Sequence, residues 1–304
     1  MNIIREVSAM RAWSRQKRAE GKTIGFVPTM GYLHEGHKSL LSASVQETDA
    51  TVLSIFVNPL QFGPNEDLDR YPRDEERDVA IAKSAGAEVV FAPTVEEMYP
   101  NEMYTTVRVP ALSAMLCGAS RPGHFDGVAT VVSKLFHIVQ PHQAFFGLKD
   151  AQQAAIIEKM VQDLNMDVRI RTCPTVRESD GLAMSSRNKY LSVEERATAP
   201  ELYRSLEQVR EWVEQEEWPI GEILQKWRDR LQNMECAELD YAEILDYPSL
   251  QQPDLNLKMK KGQHRWIAAC AVRFGQTRLI DNVLIGTHAK AETVRQTGGN
   301  AICI

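Results

Sequence analysis

Pro28-Thr29-Met30-Gly31-Tyr32-Leu33-His34-Glu35-Gly36-His37, running on into Lys38-Ser39-Leu40-Leu41, is the stretch whose reading decides the fold. It follows a short apolar strand (Thr23 to Val27) and reads as a sharp loop and then the first turn of a helix. Two histidines with a glycine between them fall where the backbone N–H groups of a helix have no intrahelical partner. Such a turn attracts phosphate, because orphan donors and the positive end of the helix dipole point at one spot. Imidazoles added there suit a leaving pyrophosphate. The stretch reads as a nucleotide site at the end of a strand.

Outward from it, strands and helices alternate. The helix starting near His37 carries Leu40, Leu41 and Val45 on one side. Thr51 to Val57 is β-branched and almost continuously apolar, as a strand buried on both faces must be. Arg73 to Ala85 is charged and helical, and Glu88 to Ala92 is another strand. Gly127 to Gln140 places Val128, Val131, Val132, Leu135 and Val139 at helical spacing behind an Asp126 cap. Gln143 to Gly147 is a strand. Asp150 caps the helix after it, whose stripe is Ala154, Ile157, Val161 and Leu164, and Val168 to Cys173 closes the series. The pattern predicts an α/β fold: a Rossmann-like, doubly wound, mainly parallel sheet.

The second half changes character. A polar helical region around Trp212, Trp218 and Trp227 runs from about Val193 to Met234, and strands follow at Leu239 to Leu245, Trp266 to Phe274 and Arg278 to Ile285. Strands after helices, without alternation, predict a smaller α+β domain. The boundary falls near Arg177 to Asp180, giving domains of 1–177 and 178–304, with a Met-Ser-Ser-Arg loop at the start of the second. The tail after about His288 has weak periodicity.

Composition narrows the function. A net charge of −6 over 304 residues repels nucleic acid and anionic membrane, so anionic substrates need locally gathered basic groups. No window has the length of an apolar span, and Met1 to Glu6 lacks a signal-peptide layout, so the expected location is the cytoplasm. The five cysteines are dispersed without a Cys-x-x-Cys, which fits reduced thiols rather than a zinc site. The dinucleotide Gly-x-Gly-x-x-Gly, the Gly-x-x-x-x-Gly-Lys loop and the Gly-x-Ser-x-Gly elbow are all missing from the sequence.

Polar clusters follow three of the strands: Pro28 to His37, Asn58 with Gln61, and Gly147, Lys149, Asp150 and Gln153. Open parallel sheets bind ligands at the carboxyl ends of their strands, where strand order reverses. Each cluster also has a plainer reading. His34 and His37 can be surface histidines on a first turn, or a metal pair, although no His-Glu-x-x-His or cysteine partner accompanies them. Lys149 and Asp150 can be a loop lysine beside a helix cap. Gln153 shares the stripe of Ile157, and Gln61 follows a different strand; a buried amide at either place requires a partner, protein or ligand. Met184-Ser185-Ser186-Arg187-Asn188 is an interdomain turn or a phosphate clamp. Capping and loop rigidity explain most of Arg121 to Asp126. Asp67, Asp69, Asp74 and Asp78 read as solvated acids, one of which can meet Mg²⁺ through water.

The blocks quoted so far, together with Phe56-Val57-Asn58-Pro59-Leu60-Gln61-Phe62, Arg70-Tyr71-Pro72-Arg73, Gly123-His124-Phe125-Asp126-Gly127-Val128, Phe145-Phe146-Gly147-Leu148-Lys149-Asp150, Pro174-Thr175-Val176-Arg177-Glu178 and Thr277-Arg278-Leu279-Ile280-Asp281-Asn282, occur in one order through nearly the whole chain. In this the sequence resembles the pantoate–β-alanine ligase (pantothenate synthetase) family. Its His-x-Gly-His block is also similar to the signature of the wider nucleotidyl-transferase superfamily, with Met184 to Arg187 in place of the mobile second signature. Leu148 departs from the glutamate common in relatives, and the tail after Ile285 runs longer than usual.

The resemblance implies attack of pantoate on the α-phosphate of Mg·ATP, then attack of β-alanine on the pantoyl adenylate. It implies catalytic roles for His37, as proton donor, and for His34, Lys149, Ser185, Ser186 and Arg187. Met30, Gln61 and Gln153 would hold pantoate. ATP would lie against Met30 to His37 (Gly31, Tyr32, Leu33 and Glu35 included), Gly147 to Asp150, Val176 and Met184 to Arg187. Residues 1–177 would bind nucleotide and pantoate, residues 178–304 would form a lid, and the enzyme would be a homodimer. The protein ligands of Mg²⁺ stay unassigned. Two other readings compete: a superfamily transferase that stops at a nucleotide-activated product, and a non-catalytic nucleotide-binding module. A tRNA-charging enzyme is disfavoured by the acidic balance and the small second domain.

Overall fold

The computed structural model describes residues 1–64, 66, 68–215, 218–258, 265–286 and 293–295. The chain divides into two compact units: Met1–Gly147 with Ile156–Cys173, and Leu148–Ala155 with the chain from Pro174 on.

The first unit is the doubly wound sheet. Its elements are β1 (Asn2–Ile4), α1 (Val7–Ala19), β2 (Ile24–Thr29), α2 (Glu35–Glu47), β3 (Ala50–Ile55), α3 (Glu75–Ser84) and β4 (Val89–Phe91), three short helices, α4 (Val95–Met98), α5 (Pro110–Ser113) and α6 (Leu116–Ser120), then α7 (His124–Val139), β5 (Gln143–Gly147), α8 (Ala151–Asp163) and β6 (Arg169–Cys173). All strand pairs are parallel, in the order β1-β4-β3-β2-β5-β6. Order reverses between β2 and β5, so the Met30 loop and the end of β5 lie at the switch point, where such sheets bind ligands. Val27, Leu53, Val90 and Phe145 fill one face of the sheet together with Leu41 of α2, and Phe26, Val52, Val89 and Phe146 are buried on the other, as a sheet covered on both sides requires.

Four local expectations are corrected. The helix starts at Glu35, two residues before His37, because His34 caps it. Val45 is 40% exposed, off the Leu40–Leu41 face. Gly123, not Asp126, is the N-cap of α7: its φ of +83° suits a residue without Cβ, and Asp126 lies in the first turn. Leu164 lies beyond the end of α8 and is 54% exposed, while Ala154, Ile157 and Val161 are buried.

In the second unit, β7 (Thr175–Arg177) precedes three helices, α9 (Val193–Thr198), α10 (Glu201–Gln215) and α11 (Ile220–Gln232). The polar region is therefore not one helix. Pro200 begins a fresh first turn, and Pro219 caps α11. Strands β8 (Glu238–Asp246), β9 (Trp266–Phe274) and β10 (Thr277–Ile285) form an antiparallel sheet of order β10-β9-β8. Leu202, Leu206, Ile223 and Trp227 close its apolar face, and the Trp227 indole N–H donates to Ser205 Oγ at 3.0 Å. From the weakly periodic tail, Thr293–Arg295 adds a strand, β11, parallel to β7; its place comes from backbone pairing, which leaves no periodicity to read. Asp67 and the rest of the tail beyond Gly286 lie outside the described residues.

Candidate active site

His34 and His37 cap α2 reciprocally. The Gly36 N–H donates to His34 Nδ1 at 3.1 Å, and the His34 N–H donates to His37 Nδ1 at 3.3 Å. The rings lie 4.1 Å apart. With each Nδ1 accepting, the tautomer that satisfies both bonds carries its proton on Nε2. The pair therefore presents two fixed Nε2–H donors beside the helix N-terminus. Gly36 has a stricter reason than close approach of a ligand: a Cβ there would lie 2.8 Å from His34 Cε1 and 2.9 Å from Nδ1. Glu35 is exposed, 3.7 Å from Lys38.

The loop before the cap turns through two left-handed residues, Gly31 (φ +85°) and Tyr32 (φ +52°). A non-glycine residue in that region must be held there. Asp78 on α3 does so, taking the N–H of Tyr32 at 2.6 Å and of Leu33 at 2.7 Å. Asp78 is buried, which corrects its reading as a solvated acid. Burial raises its pKa, and the two N–H bonds oppose that rise. The Arg77 guanidinium lies 5.0 Å over the Tyr32 ring.

Gln61 lies in the 3₁₀ turn Pro59–Gln61 after β3 and is buried. Its amide has protein partners: Nε2 donates to Met30 Sδ at 3.2 Å, and Oε1 accepts from Asn58 Nδ2 at 3.1 Å. Asn58 is held in turn by the Gly127 carbonyl and by the Tyr99 hydroxyl, which donates to Asn58 Oδ1 at 2.7 Å. Burial pushes the Tyr99 hydroxyl pKa up, so it stays a donor. A chain of contacts fixes the Gln61 backbone: Glu66 grips Arg121, the Arg121 guanidinium meets His124 Nε2 at 3.1 Å, and His124 Nδ1 donates to the Gln61 carbonyl at 2.7 Å. Gly127 is required because a Cβ there would lie 2.3 Å from the Leu60 carbonyl oxygen. The Arg121 to Asp126 segment thus does more than cap a helix: it supports the loop that carries Gln61.

In the second unit, Leu148–Asp150 forms a 3₁₀ turn leading into α8, with Leu148 buried, Lys149 half-buried and Asp150 exposed. Lys149 Nζ is 3.8 Å from Asp150 Oδ2. Gln153 is half-buried on the first turns of α8. Val176 is buried in β7, and its carbonyl accepts the Met184 N–H at 3.0 Å, which ties the serine-rich loop to that strand. Ser185 caps the 3₁₀ helix Ser186–Tyr190, its Oγ accepting the Arg187 N–H at 3.2 Å. Among the described residues the Arg187 guanidinium has no ion-pair partner. In the first unit, a Cβ on Gly147 would meet nothing within 4 Å.

The structure therefore joins Met30 to Gln61 and His34 to His37 in one unit, and Val176 to Met184 in the other. Asp78 and His124 are the supports that sequence reasoning misses; Asn58, which the sequence sets beside Gln61 in one polar cluster, bonds that amide directly. Asp78 and His124 act across 45 and 63 residues of sequence, and only the i, i+4 relation of Asp78 to the buried Ala82 hints at burial.

The pantoate-beta-alanine ligase family model matches residues 2–284. A pantothenate synthetase from Acetivibrio thermocellus is 54% identical over 285 residues, 94% of this chain and 99% of that protein. One from Geobacillus kaustophilus is 51% identical, over 94% and 93% of the two chains. The crystal structure of the Thermus thermophilus enzyme superposes with a TM-score of 0.84 at 46% identity, over 93% and 99%. A Francisella tularensis ligase, complexed with β,γ-ATP and β-alanine, gives a TM-score of 0.72 at 33% identity, over 93% and 97%.

Proposed function

The chain belongs to the pantoate–β-alanine ligase family, and on that premise we propose which of its groups carry each step. The reaction is the ATP-dependent condensation of pantoate with β-alanine through pantoyl adenylate, releasing AMP and pyrophosphate. A carboxylate oxygen of pantoate attacks the α-phosphorus, the bond to the β-phosphate bridging oxygen breaks, and its electron pair leaves with pyrophosphate. The β-alanine amine then attacks the acyl carbon, and AMP leaves with the electrons of the acyl–oxygen bond.

Charge grows on pyrophosphate as it departs, and fixed donors aimed at developing charge supply about 3–4 kcal/mol per group. His34 and His37 provide two Nε2–H donors, His37 acting as proton donor. Lys149, Ser185, Ser186 and Arg187 supply the remaining cations and hydroxyls. Met30, Gln61 and Gln153 hold pantoate, with Gln61 exchanging its Met30 contact for the substrate's oxygen. Gly31, Tyr32 and Leu33 carry ATP along the loop, and Gly147, Leu148, Asp150 and Val176 line the adenosine. We assign nucleotide and pantoate binding to residues 1–177 and a lid role to 178–304. These bounds differ from the two compact units, in which Leu148–Ala155 and residues 174–177 go with the second. The observation that supports this most is the reciprocal cap, in which both Nδ1 atoms accept backbone N–H groups and each ring's proton is placed on Nε2, at the helix N-terminus where phosphate binds.

Mg²⁺ fits as a companion of the nucleotide. Among the described residues no group of three histidine, cysteine or carboxylate side chains could hold it, and both Asp78 oxygens are occupied by backbone N–H groups. Bound to triphosphate oxygens and water, it would supply charge neutralisation. We assign the enzyme to the cytoplasm as a homodimer, which sedimentation tests; no helix among the described residues is long and apolar enough to cross a membrane.

The deciding experiment is pyrophosphate release from Mg·ATP and pantoate, with and without β-alanine. Release that needs pantoate, with AMP and steady turnover once β-alanine is added, supports the assignment. Release indifferent to pantoate sinks it.

A further inference from the structure

The Thr277 to Asn282 block takes no part in the roles assigned so far, yet it ends in a highly connected pair of residues. Arg177 on β7 is 1% exposed and forms a two-pronged bond with Asp281 on β10, Nη1 to Oδ2 at 2.6 Å and Nη2 to Oδ1 at 2.9 Å. Tyr203 stacks its ring 3.6 Å from the guanidinium carbon, and the Gly181 carbonyl accepts from Nη1. Asp281 Oδ1 also takes the backbone N–H of Asn282 at 2.8 Å. Asn282, 7% exposed, is therefore set on a rigid base.

From there the Asn282 side-chain nitrogen donates to two carbonyls, Leu148 and Lys149, both at 2.9 Å. Both partners are acceptors, so the amide orientation is determined, and both N–H bonds are used. These two carbonyls belong to the peptide planes on either side of the Lys149 Cα. Each plane is rigid, so fixing both fixes φ and ψ of that one residue. The direction in which Lys149 leaves the backbone is then set, and only its side-chain rotamers remain free.

We propose that Asn282 is a positioning residue for Lys149, aiming the ammonium at the departing pyrophosphate from a base formed by Arg177 and Asp281. The proposal rests on the role given to Lys149 above. A misplacement of about 1 Å can cost on the order of a hundredfold in rate, which gives the clamp a kinetic purpose beyond packing.

The test is a double-mutant cycle on pantoate-dependent pyrophosphate release. Asn282→Ala should lower kcat roughly tenfold with KM for pantoate unchanged, and should change little once Lys149 is already alanine. Two independent, additive losses would mean that Asn282 acts through the core and would overturn the proposal. So would a wild-type rate in Asn282→Ala when Lys149→Ala is slow. A wild-type rate in Lys149→Ala removes the role of the lysine itself, and the proposal with it. Should Asn282→Ala not fold by circular dichroism, Asn282→Ser, which keeps one donor, replaces it in the cycle under the same criteria. If neither folds, Asn282 is a core residue and the proposal is overturned.

Discussion

The Asp78 carboxylate holds the backbone N–H of Leu33 at 2.7 Å, although 45 residues separate the two in sequence. Its second oxygen holds the N–H of Tyr32, so one side chain fixes the loop that delivers both capping histidines. Asparagine offers one acceptor oxygen where aspartate offers two, and its amide would face an N–H. Asp78→Asn should therefore cost about 1–3 kcal/mol, the usual penalty for an unsatisfied buried donor. Urea unfolding measures the loss. Raised ATP KM in the folded variant would accompany it, and an unchanged midpoint with unchanged KM would refute the account.

The cap itself makes a second prediction. A Cβ at position 36 collides with the His34 ring that the Gly36 N–H must reach. Gly36→Ala favours the helix by intrinsic propensity yet displaces the cap, so the two effects oppose. Cap loss costs about 1 kcal/mol and the propensity gain is of similar size, so stability should barely move. Adenylate formation should fall sharply because the His34 Nε2–H is re-aimed. A large fall in melting temperature with intact turnover would contradict this.

At Gly127 the obstacle is backbone. Its missing Cβ lets α7 approach the turn carrying Gln61, with the Leu60 carbonyl oxygen 2.3 Å from where a Cβ would be. Neither partner can rotate away. Gly127→Ala should destabilise by about 1–3 kcal/mol, as overpacking does, and should raise KM for pantoate by shifting Gln61. Thermal unfolding and pantoate titration separate the two effects.

Glu66 yields a pH prediction. The hydrogen bonds from Arg121 hold its pKa below the ordinary value of 4.5, against the opposing effect of partial burial. The folded state thus releases this proton more readily than the unfolded chain. The stability it contributes is complete above 4.5 and is lost as pH falls through the lower, folded value. Glu66→Gln should flatten the acid side of the stability curve in that window. Because Arg121 also holds His124, and His124 the Gln61 carbonyl, the variant should bind pantoate less tightly at neutral pH as well. A curve as steep as the wild type's would exclude Glu66 from the acid response.

The sheet, its strand ends and the three-stranded second unit are legible in the sequence because apolar runs and helical spacing record burial directly. The histidine pair, Gln61 and the serine-rich loop are legible as residue types placed after strands. What escapes are contacts that sequence spacing does not encode. Asp78 reads as solvated among Glu75, Glu76 and Arg77, yet α3 turns it inward onto a backbone that lies 45 residues away. The side chain of Asp126 suits a cap on α7, whereas the chain uses the left-handed φ of Gly123. Proline breaks at 200 and 219 are visible, but the run of helix-favouring residues across them hides three separate helices.

His37 carries the sharpest test of the reaction. Its Nδ1 accepts the His34 N–H at 3.3 Å, a long bond that contributes little to the fold, while its Nε2–H is the donor we propose for pyrophosphate. Removing the ring should therefore separate activity from stability. His37→Ala should unfold within about 1 kcal/mol of the wild type, yet form adenylate at least about a hundredfold more slowly. Asparagine can restore the cap through its side-chain oxygen but cannot donate a proton in the same way. His37→Asn should thus regain stability and leave the rate low. If His37→Asn instead recovers wild-type adenylation, the residue acts by capping alone, and the proton must come from another group.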